Sequence, residues 1–296
     1  MSTRLSILVL KLGVHVSISG GISNSVDNAV KIGSSAFQIF TRSPRQWKSK
    51  ELTPDETDTF KEKLGNSPIG PESVVVHMPY LPNLSAPTSE MYEKSISVLT
   101  DEITRCNILG IPYLVIHLGS HLGQGSKNGV NQLVNACTKS LHAYNDLGLP
   151  RNRVKILLEN SAGQKNSIGS QIEEIQSIFD ILGKNDYGLC MDTCHLFAAG
   201  YDLSNESGVS TLIDNIDNHL GVENIKIIHL NDSKGDLGSN LDRHYHVGLG
   251  KIGVSGLRYL VNYKKLKKVP FIMETPIDSV RNDIDNIEFV RNFVNE

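Results

Sequence analysis

The stretch IKIIHLNDSKGDLGSNLDRHYHVGLGKIG, residues 225–253, begins as an apolar run, turns polar at His229 and ends in three closely spaced glycines. Its loop carries the ionisable side chains His229, Asp232, Asp242, His244 and His246. Imidazole nitrogens and carboxylate oxygens are the ligands that zinc and similar divalent metals prefer. Taken alone, the segment fits a metal-binding loop and a histidine-rich surface loop equally well.

The pattern of an apolar run with a polar end recurs along the chain. Most of the runs are rich in Val, Ile and Leu with little polar alternation, as in parallel strands that are covered on both faces. The eight predicted strands are Leu12–Ser17, Ala36–Thr41, Val74–Pro79, Tyr113–Gly119, Val154–Asn160, Tyr187–Thr193, Ile225–Asn231 and Val269–Thr275. Helical patterns lie between them, with a capping box predicted at Thr53 to Glu56 and a terminating glycine at Gly110. Repeated strand-then-helix units predict a TIM-like (β/α)₈ barrel of the α/β class, and a doubly wound open sheet is the alternative.

Length and composition indicate one soluble globular domain. The chain has 296 residues, of which 39% are hydrophobic and 21% charged, and single barrels are common at this length. Because no composition shift marks a second domain, we expect a catalytic barrel at residues 12–296 behind an N-terminal extension at residues 1–11. The apolar segment from Leu5 to Leu10 is too short to span a membrane, and Lys11 interrupts it where a signal peptide would continue. We therefore expect a cytoplasmic protein, and the 4 cysteines fit a reducing compartment.

The net charge of −3 argues mildly against a nucleic-acid partner. Bound divalent cations would change this, since three of them would make the formal charge positive and concentrate the gain at their own site. The charge therefore leaves a nucleic-acid substrate open only if metals are present.

Polar side chains gather at the C-terminal ends of consecutive predicted strands, which is where barrel enzymes build their active sites. They are His77, His117, Glu159, Asp192 with His195 just beyond it, His229 and Glu274. Any one of them alone is more often an ordinary buried polar residue than a ligand. Burying so many ionisable groups together is costly unless something pairs them, and metal ions are the obvious partners.

These segments closely resemble the endonuclease IV family of abasic-site endonucleases. The matching stretches are GVHVSISGG (13–21), FTRSPRQW (40–47), HMPYLPNL (77–84), HLGSHLGQG (117–125), LENSAGQ (158–164), MDTCHLFAAGYD (191–202), HLNDSKG (229–235), DRHYHVGLGKIG (242–253) and METP (273–276). They cover nearly the whole chain after its first ten or so residues. The resemblance implies a TIM-like barrel that holds three zinc ions.

The resemblance also implies the ligands of each zinc ion. They are His77, His117 and Glu159 for the first, Asp192, His229 and Glu274 with Glu159 as a bridge for the second, and His195, Asp242 and His244 for the third. His15, Asp232 and His246 are implied to orient ligands. The implied reaction is hydrolysis of the phosphodiester 5′ to an abasic site in duplex DNA, which leaves a 3′-hydroxyl and a 5′-deoxyribose phosphate. The nucleophile would be a hydroxide shared by two zinc ions, positioned by Glu159, in an enzyme that we expect to be monomeric.

DNA contacts are implied for two loops at the same end of the barrel. Arg45 and the pair Tyr80-Leu81 would enter the base stack from the minor groove while the damaged nucleotide swings out. Two features depart from the family pattern, Pro82 after Tyr80-Leu81 and Ser43-Pro44 before Arg45, and both bear on the shape of these contacts. The family's cysteine at the position of Cys194 is not a ligand.

Two other classes of protein fit part of the pattern. Sugar isomerases and epimerases that resemble xylose isomerase use one or two divalent ions with paired acids, a role that Glu159 and Glu274 would suit. His195 and the DRHYH loop have no use in such an enzyme. The third class is a catalytically silent zinc protein, but structural zinc sites are usually closed by four ligands each.

Overall fold

Eight parallel strands close into a barrel in the computed structural model, which describes residues 10–149 and 154–294. The barrel strands are β1 Leu12–His15, β2 Ala36–Ile39, β3 Val74–His77, β4 Tyr113–His117, β5 Lys155–Glu159, β6 Tyr187–Asp192, β7 Ile225–His229 and β10 Phe271–Met273. Neighbours in sequence pair in parallel, and β10 pairs with both β7 and β1. The predicted TIM-like barrel is confirmed, and the open-sheet alternative is wrong because β1 and β10 close the sheet.

Each observed barrel strand is shorter than the predicted one. The predicted strand Leu12–Ser17 ends at His15, and Val269–Thr275 is reduced to Phe271–Met273. The residues that the prediction adds beyond the strands, such as Ser17 and Asn231, lie in the connections that leave the barrel, whereas His77, His117 and Glu159 are the last residues of their strands. The predicted extension, residues 1–11, lies outside the described residues except for its last two.

Helices surround the barrel, and several of them begin at a side-chain cap. They are α1 Asn24–Lys31, α2 Pro54–Gly65, α3 Glu90–Leu109, α4 Ser126–Asp146, α5 Ile172–Leu182, α6 Thr193–Ala198, α7 Glu206–His219, α8 Gly253–Val261 and α9 Asp283–Arg291. The predicted capping box is present, because Thr53 and Glu56 each accept a hydrogen bond from the other's backbone N–H. Gly110 ends α3 in the left-handed conformation, at φ 75°. Among the described residues, no helix is both long and apolar enough to cross a membrane.

A small apolar core fills the inside of the barrel and supports the polar groups at its C-terminal end. Its members are Ala36, Val75, Val115, Leu157, Cys190, Ile227 and Ile272. Side chains two residues apart point to the same face of a strand. The residue two positions after each of these therefore also points into the barrel, in a layer closer to the C-terminal ends.

Strand register places the predicted polar groups side by side in that upper layer. His117 on β4 lies beside Glu159 on β5, and Asp192 on β6 lies beside His229 on β7. A short antiparallel hairpin, β8 Asp232–Ser233 with β9 His244–Tyr245, brings the loop after β7 back over the same end. Residues that are distant in sequence thus converge on one surface.

Candidate metal centre

Glu159 lies at the middle of the converging side chains. It is almost fully buried, and its Oε2 lies 3.2 Å from Nε2 of both His77 and His117. Its other oxygen, Oε1, lies 3.0 Å from Nδ1 of His229. Since each carboxylate oxygen faces a different set of imidazoles, Glu159 is placed to be shared between two cations.

A second group forms around His229, which is completely buried. Its Nδ1 lies 3.3 Å from Oε2 of Glu274 and 3.8 Å from Oδ2 of Asp192. The ligand atoms of Glu159, Asp192, His229 and Glu274 all lie within 4.8 Å of one another. This is the spacing that one bound cation requires of its ligands.

A third group joins the short helix α6 to the hairpin loop. Oδ1 of Asp242 lies 3.2 Å from Nε2 of His195 and 3.3 Å from Nε2 of His244. Although His244 Nε2 is buried and close to carboxylates, it makes no hydrogen bond of acceptable geometry with any described residue. A buried imidazole nitrogen that makes no hydrogen bond is costly, so this position beside carboxylates suits a bound cation.

Four of the histidines are fixed with one ring nitrogen turned toward these groups. The opposite nitrogens face carbonyl oxygens: His77 Nδ1 and Met78 O are 2.7 Å apart, and His195 Nδ1 and Asn160 O are 2.9 Å apart. His244 Nδ1 faces the backbone oxygen of Glu274 at 3.3 Å. The fourth, His229, uses Nε2 toward the side-chain oxygen of Gln38 at 2.9 Å. In the neutral ring with its proton on the nitrogen that faces the oxygen, the inward nitrogen offers its lone pair, which is the tautomer that binds metals.

Comparison with known proteins finds relatives over nearly the whole chain. A family model described as a xylose isomerase-like TIM barrel matches residues 26–293. The probable endonuclease 4 of Nitrosopumilus maritimus is 50% identical over 285 residues, which are 96% of this chain and 100% of that protein. The chain belongs to the endonuclease IV family. The family predicted from the motifs is therefore confirmed, and with it the class of enzyme, an endonuclease.

Solved structures separate the endonuclease IV family from the sugar enzymes that share its fold. The crystal structure of endonuclease IV from Thermus thermophilus is 34% identical with a TM-score of 0.84, and the match covers 96% of this chain and 98% of that one. A D-tagatose 3-epimerase-like protein is 19% identical with a TM-score of 0.69, over 96% of this chain and 97% of that one. The second likeness shows the fold alone and gives the sugar-isomerase alternative no support.

The charges in this endonuclease IV centre are strongly coupled. Burial alone would raise the pKa of Glu159, but His117 and His229 outweigh it and hold that pKa well below its ordinary value. Burial likewise disfavours charge on His195, yet Asp192, Asp242 and Glu159 raise its pKa to about 10. In the metal-free chain, protons therefore balance the carboxylates by occupying nitrogen lone pairs that a metal would use.

Sequence reasoning missed three amide side chains that hold the ligands. Gln38 donates to Oε1 of Glu274 at 2.6 Å while its oxygen faces His229. Asn231 donates to Oδ2 of Asp192 at 2.7 Å and accepts from the backbone N–H of Glu274 at 2.8 Å. Asn160 donates to the backbone oxygen of Asp192 at 3.2 Å and accepts from that residue's N–H at 2.8 Å. The available signal was position, since Asn160 and Asn231 lie just beyond strand ends and Gln38 lies one residue before the end of β2, where ionisable residues stand out and amides do not.

The three residues predicted to orient ligands fall into two kinds. His15 accepts a hydrogen bond from Gln38 at 3.1 Å, and burial lowers the pKa of His15 to about 4, which keeps the ring neutral for that role. Asp232 accepts from the backbone N–H groups of Gly248, Gly250 and Ile252 at 2.9 to 3.0 Å. His246 contacts Asp278 and Asn286. Asp232 and His246 thus hold the loop that carries Asp242 and His244.

Cys194 lies near the third group, within 4.8 Å of ligand atoms on Asp242 and His244. Burial raises the pKa of its thiol to about 12, so the sulfur stays protonated at neutral pH in the metal-free chain. The thiolate, and not the thiol, is the form that binds metals. The imidazoles and carboxylates remain the better-suited ligands.

The residues predicted to touch DNA lie at the same end of the barrel. Tyr80 is 52% exposed, and Tyr80 and Leu81 line a cleft of about 450 Å³ together with His117 and Asp242. Pro82 and Asn83 continue the same wall. Arg45 is exposed on the loop between β2 and α2. The cleft therefore connects the tyrosine loop directly to the metal centre, whereas Arg45 reaches solvent from a neighbouring loop.

Proposed function

We propose that the chain is an abasic-site endonuclease that hydrolyses the phosphodiester on the 5′ side of the lesion in duplex DNA. The products are a 3′-hydroxyl and a 5′-deoxyribose phosphate, and the centre holds three zinc ions. One observation carries the proposal: in a member of the endonuclease IV family, nine imidazole and carboxylate side chains converge beside an open cleft, with Glu159 common to two groups.

The ligand groups fit three cations with borderline-soft preferences. His77, His117 and Glu159 would hold the first, Glu159, Asp192, His229 and Glu274 the second, and His195, Asp242 and His244 the third. Zinc bound there supplies positive charge that makes water more acidic and offsets charge developing on the phosphate. The orphaned nitrogen of His244 supports the third position.

The chain's own residues place and restrain the reacting groups. Glu159 is ionised and buried, and both of its oxygens are engaged, so it orients groups around it and has no proton to give at neutral pH. Gln38 and Asn231 lock Glu274 and Asp192 in place from behind. No side chain of the centre is required to act as the nucleophile.

DNA recognition is assigned to the loops around the cleft. The exposed ring of Tyr80 and the neighbouring Leu81 offer apolar surface that can replace a missing base in the stack. Arg45 supplies a positive charge for the phosphate backbone or the minor groove. An abasic nucleotide is the easiest to turn out of the duplex because it has no base to unstack.

The test is a nicking assay on a duplex that carries one abasic analogue. We expect a single cut on the 5′ side with a 3′-hydroxyl end, lost on treatment with a strong chelator and recovered when zinc is restored. An otherwise identical duplex without the lesion is the control. Equal cutting of both duplexes, or cutting that survives complete metal removal, would refute the proposal.

Metal content provides a second test that needs no substrate. We expect close to three zinc ions per purified chain by elemental analysis, and a monomer by light scattering. A single metal per chain would contradict the assignment of the three ligand groups.

A further inference from the structure

The loop between β2 and α2 carries the exposed Arg45 but rests on buried charges. This loop, residues 40–53, contains no helix or strand. At its base, the Arg42 side chain is only 3% exposed and faces Glu102 of α3, whose side chain is completely buried. Buried charges are tolerated when they are paired and fully hydrogen-bonded.

Glu102 fixes the first two residues of the loop base. Its Oε1 accepts a hydrogen bond from Nε of Arg42, and its Oε2 accepts one from the hydroxyl of Thr41 at 2.8 Å. Arg42 also donates to Asp101 of α3 and, at 3.4 Å, to the backbone oxygen of Trp47. Both carboxylate oxygens of Glu102 thus accept hydrogen bonds from loop residues.

Arg105, one turn further along α3, ties the start of the loop to its end. It donates to the backbone oxygen of Thr41 at 2.6 Å and to that of Lys50 at 2.9 Å. Its Nε also donates to the hydroxyl of Thr41 at 2.8 Å. A planar guanidinium bonded at several points holds its partners in one relative orientation. Arg105 therefore holds the two ends of the segment from Thr41 to Lys50 together, and Arg45 lies in the exposed part between them.

The composition of this base points to positioning rather than to stability. The two cations, Arg42 and Arg105, balance the formal charges of Glu102 and of Asp101, whose side chain is still 43% exposed. Apolar side chains of similar size often stabilise a fold at least as well as a buried ionic group. What the ionic group adds is direction, because its hydrogen bonds fix the carbonyl groups of residues 41, 47 and 50.

We propose that Arg42, Asp101, Glu102 and Arg105 form a loop anchor that sets the conformation of residues 41–50 and so presents Arg45 to the DNA. The effect on DNA binding rests on the proposed function, whereas the anchored conformation of residues 41–50 does not. The anchor residues are positioning residues, since they act through Arg45 and touch no reacting atom. A centre that cleaves small phosphodiesters would not need them.

The chain's single tryptophan, Trp47, tests the structural content without DNA. Thr41→Val removes the hydroxyl that links Glu102 to Arg105 and leaves all four charges in place. We expect acrylamide quenching of Trp47 fluorescence to increase by about twofold, as a loosened loop exposes the ring. The matched control is Thr104→Val, because the hydroxyl of Thr104 donates within α3, to the backbone oxygen of Thr100. Unchanged quenching in a folded Thr41→Val protein would overturn the inference.

Steady-state kinetics test the consequence for DNA. We expect Glu102→Gln to raise KM for abasic duplex about tenfold and to change kcat by less than about twofold, the pattern of lost binding without lost chemistry. Metal content and zinc-dependent hydrolysis of bis(p-nitrophenyl) phosphate should stay unchanged. Glu93→Gln is the control, since Glu93 lies on the same helix in an exposed pair with Lys139. A parallel loss of kcat on both substrates would show damage to the centre and overturn the inference.

A double-mutant cycle with Arg45→Ala separates positioning from general stabilisation. If the anchor acts through Arg45, Glu102→Gln should raise KM little further once Arg45 has been removed. Fully additive effects would overturn the inference. If Glu102→Gln does not fold, Thr41→Val takes its place in the cycle. A wild-type chain that fails to nick abasic duplex would sink the proposed function, and the quenching comparison would still decide the anchor.

Discussion

Two layers of side chains fill the barrel, and they differ in chemistry although they come from the same strands. The lower layer is apolar and consists of Ala36, Val75, Val115, Leu157, Cys190, Ile227 and Ile272. Two residues further along each strand, the upper layer consists of Gln38, His77, His117, Glu159, Asp192, His229 and Glu274. Because the spacing of two keeps the same face, one layer lies directly above the other.

The lower layer serves stability, and the upper layer serves chemistry. The lower layer gains free energy simply by leaving water. Most of the upper layer is as deeply buried, although the His117 side chain is 47% exposed and that of Glu274 20%. Its buried charges gain free energy only when they are paired, and the same charges are what a metal and a phosphate need. The molecule thus uses one layer to close the barrel and the next to hold the site.

Metal removal should produce the largest effect, and it acts on the upper layer and on the neighbouring group of His195, Asp242 and His244. A ligand that binds only the folded chain contributes about 2.7 kcal/mol at a hundredfold excess over its Kd, so three tightly bound ions would contribute several times that amount. We expect a large fall in Tm on stripping, measured by calorimetry and reversed by zinc. An unchanged Tm after chelation would show that the upper layer is stable without cations.

Replacing one atom of the central carboxylate should abolish chemistry while sparing the fold. We expect Glu159→Gln to slow incision by at least about a thousandfold, equivalent to about 4 kcal/mol of activation free energy. Binding to abasic duplex should remain measurable by fluorescence anisotropy. Glu173→Gln, on the exposed face of α5, is the control. Turnover near the wild-type rate would remove Glu159 from its assigned role.

The sequence predicts the upper layer well because its signal is local. An apolar run with an ionisable residue at its end marks both a strand and its tip, so the sequence alone places His77, His117 and Glu159. Asn231 carries the same positional signal and Gln38 lies inside its apolar run, but uncharged amides are common near strand ends and do not stand out. Their importance appears only when they are seen to contact Glu274 and Asp192.

The loop anchor could not be predicted from the sequence. Its members, Arg42 on one side and Asp101, Glu102 and Arg105 on the other, are about 60 residues apart, and charged residues on a helix usually face water. Only packing shows that this part of α3 turns inward beneath the loop. Strand ends were overestimated for a similar reason, because apolar residues beyond the last ladder bond pack in loops.

A cavity in the lower layer should lower stability and preserve chemistry, which is the opposite of what we expect for Glu159→Gln. We expect Leu157→Ala to lower the free energy of unfolding by about 2 to 4 kcal/mol, with zinc content and kcat preserved at temperatures where the protein stays folded. Ile227→Val in the same layer should cost only about 1 kcal/mol. Denaturant unfolding and elemental analysis of the same samples make the comparison. Loss of zinc from Leu157→Ala would show that the two layers are not separable.

The smallest effect concerns the protons of the centre, which differ between its metal-free and its metal-bound form. In the metal-free chain the pKa of His195 is raised to about 10, so its proton stabilises the fold fully below about pH 6.5 and this contribution is lost as pH rises toward 10. A metal needs the lone pair that the proton occupies, so zinc binding at pH 7 should release at least one proton, and its affinity should rise about tenfold per pH unit from this group alone. Titration calorimetry in buffers of different ionisation enthalpy measures the release, and His195→Asn should reduce it by one. If zinc binding released no protons at pH 7, the imidazoles would already be neutral, and the pairing that holds the metal-free layer together would have to come from another source.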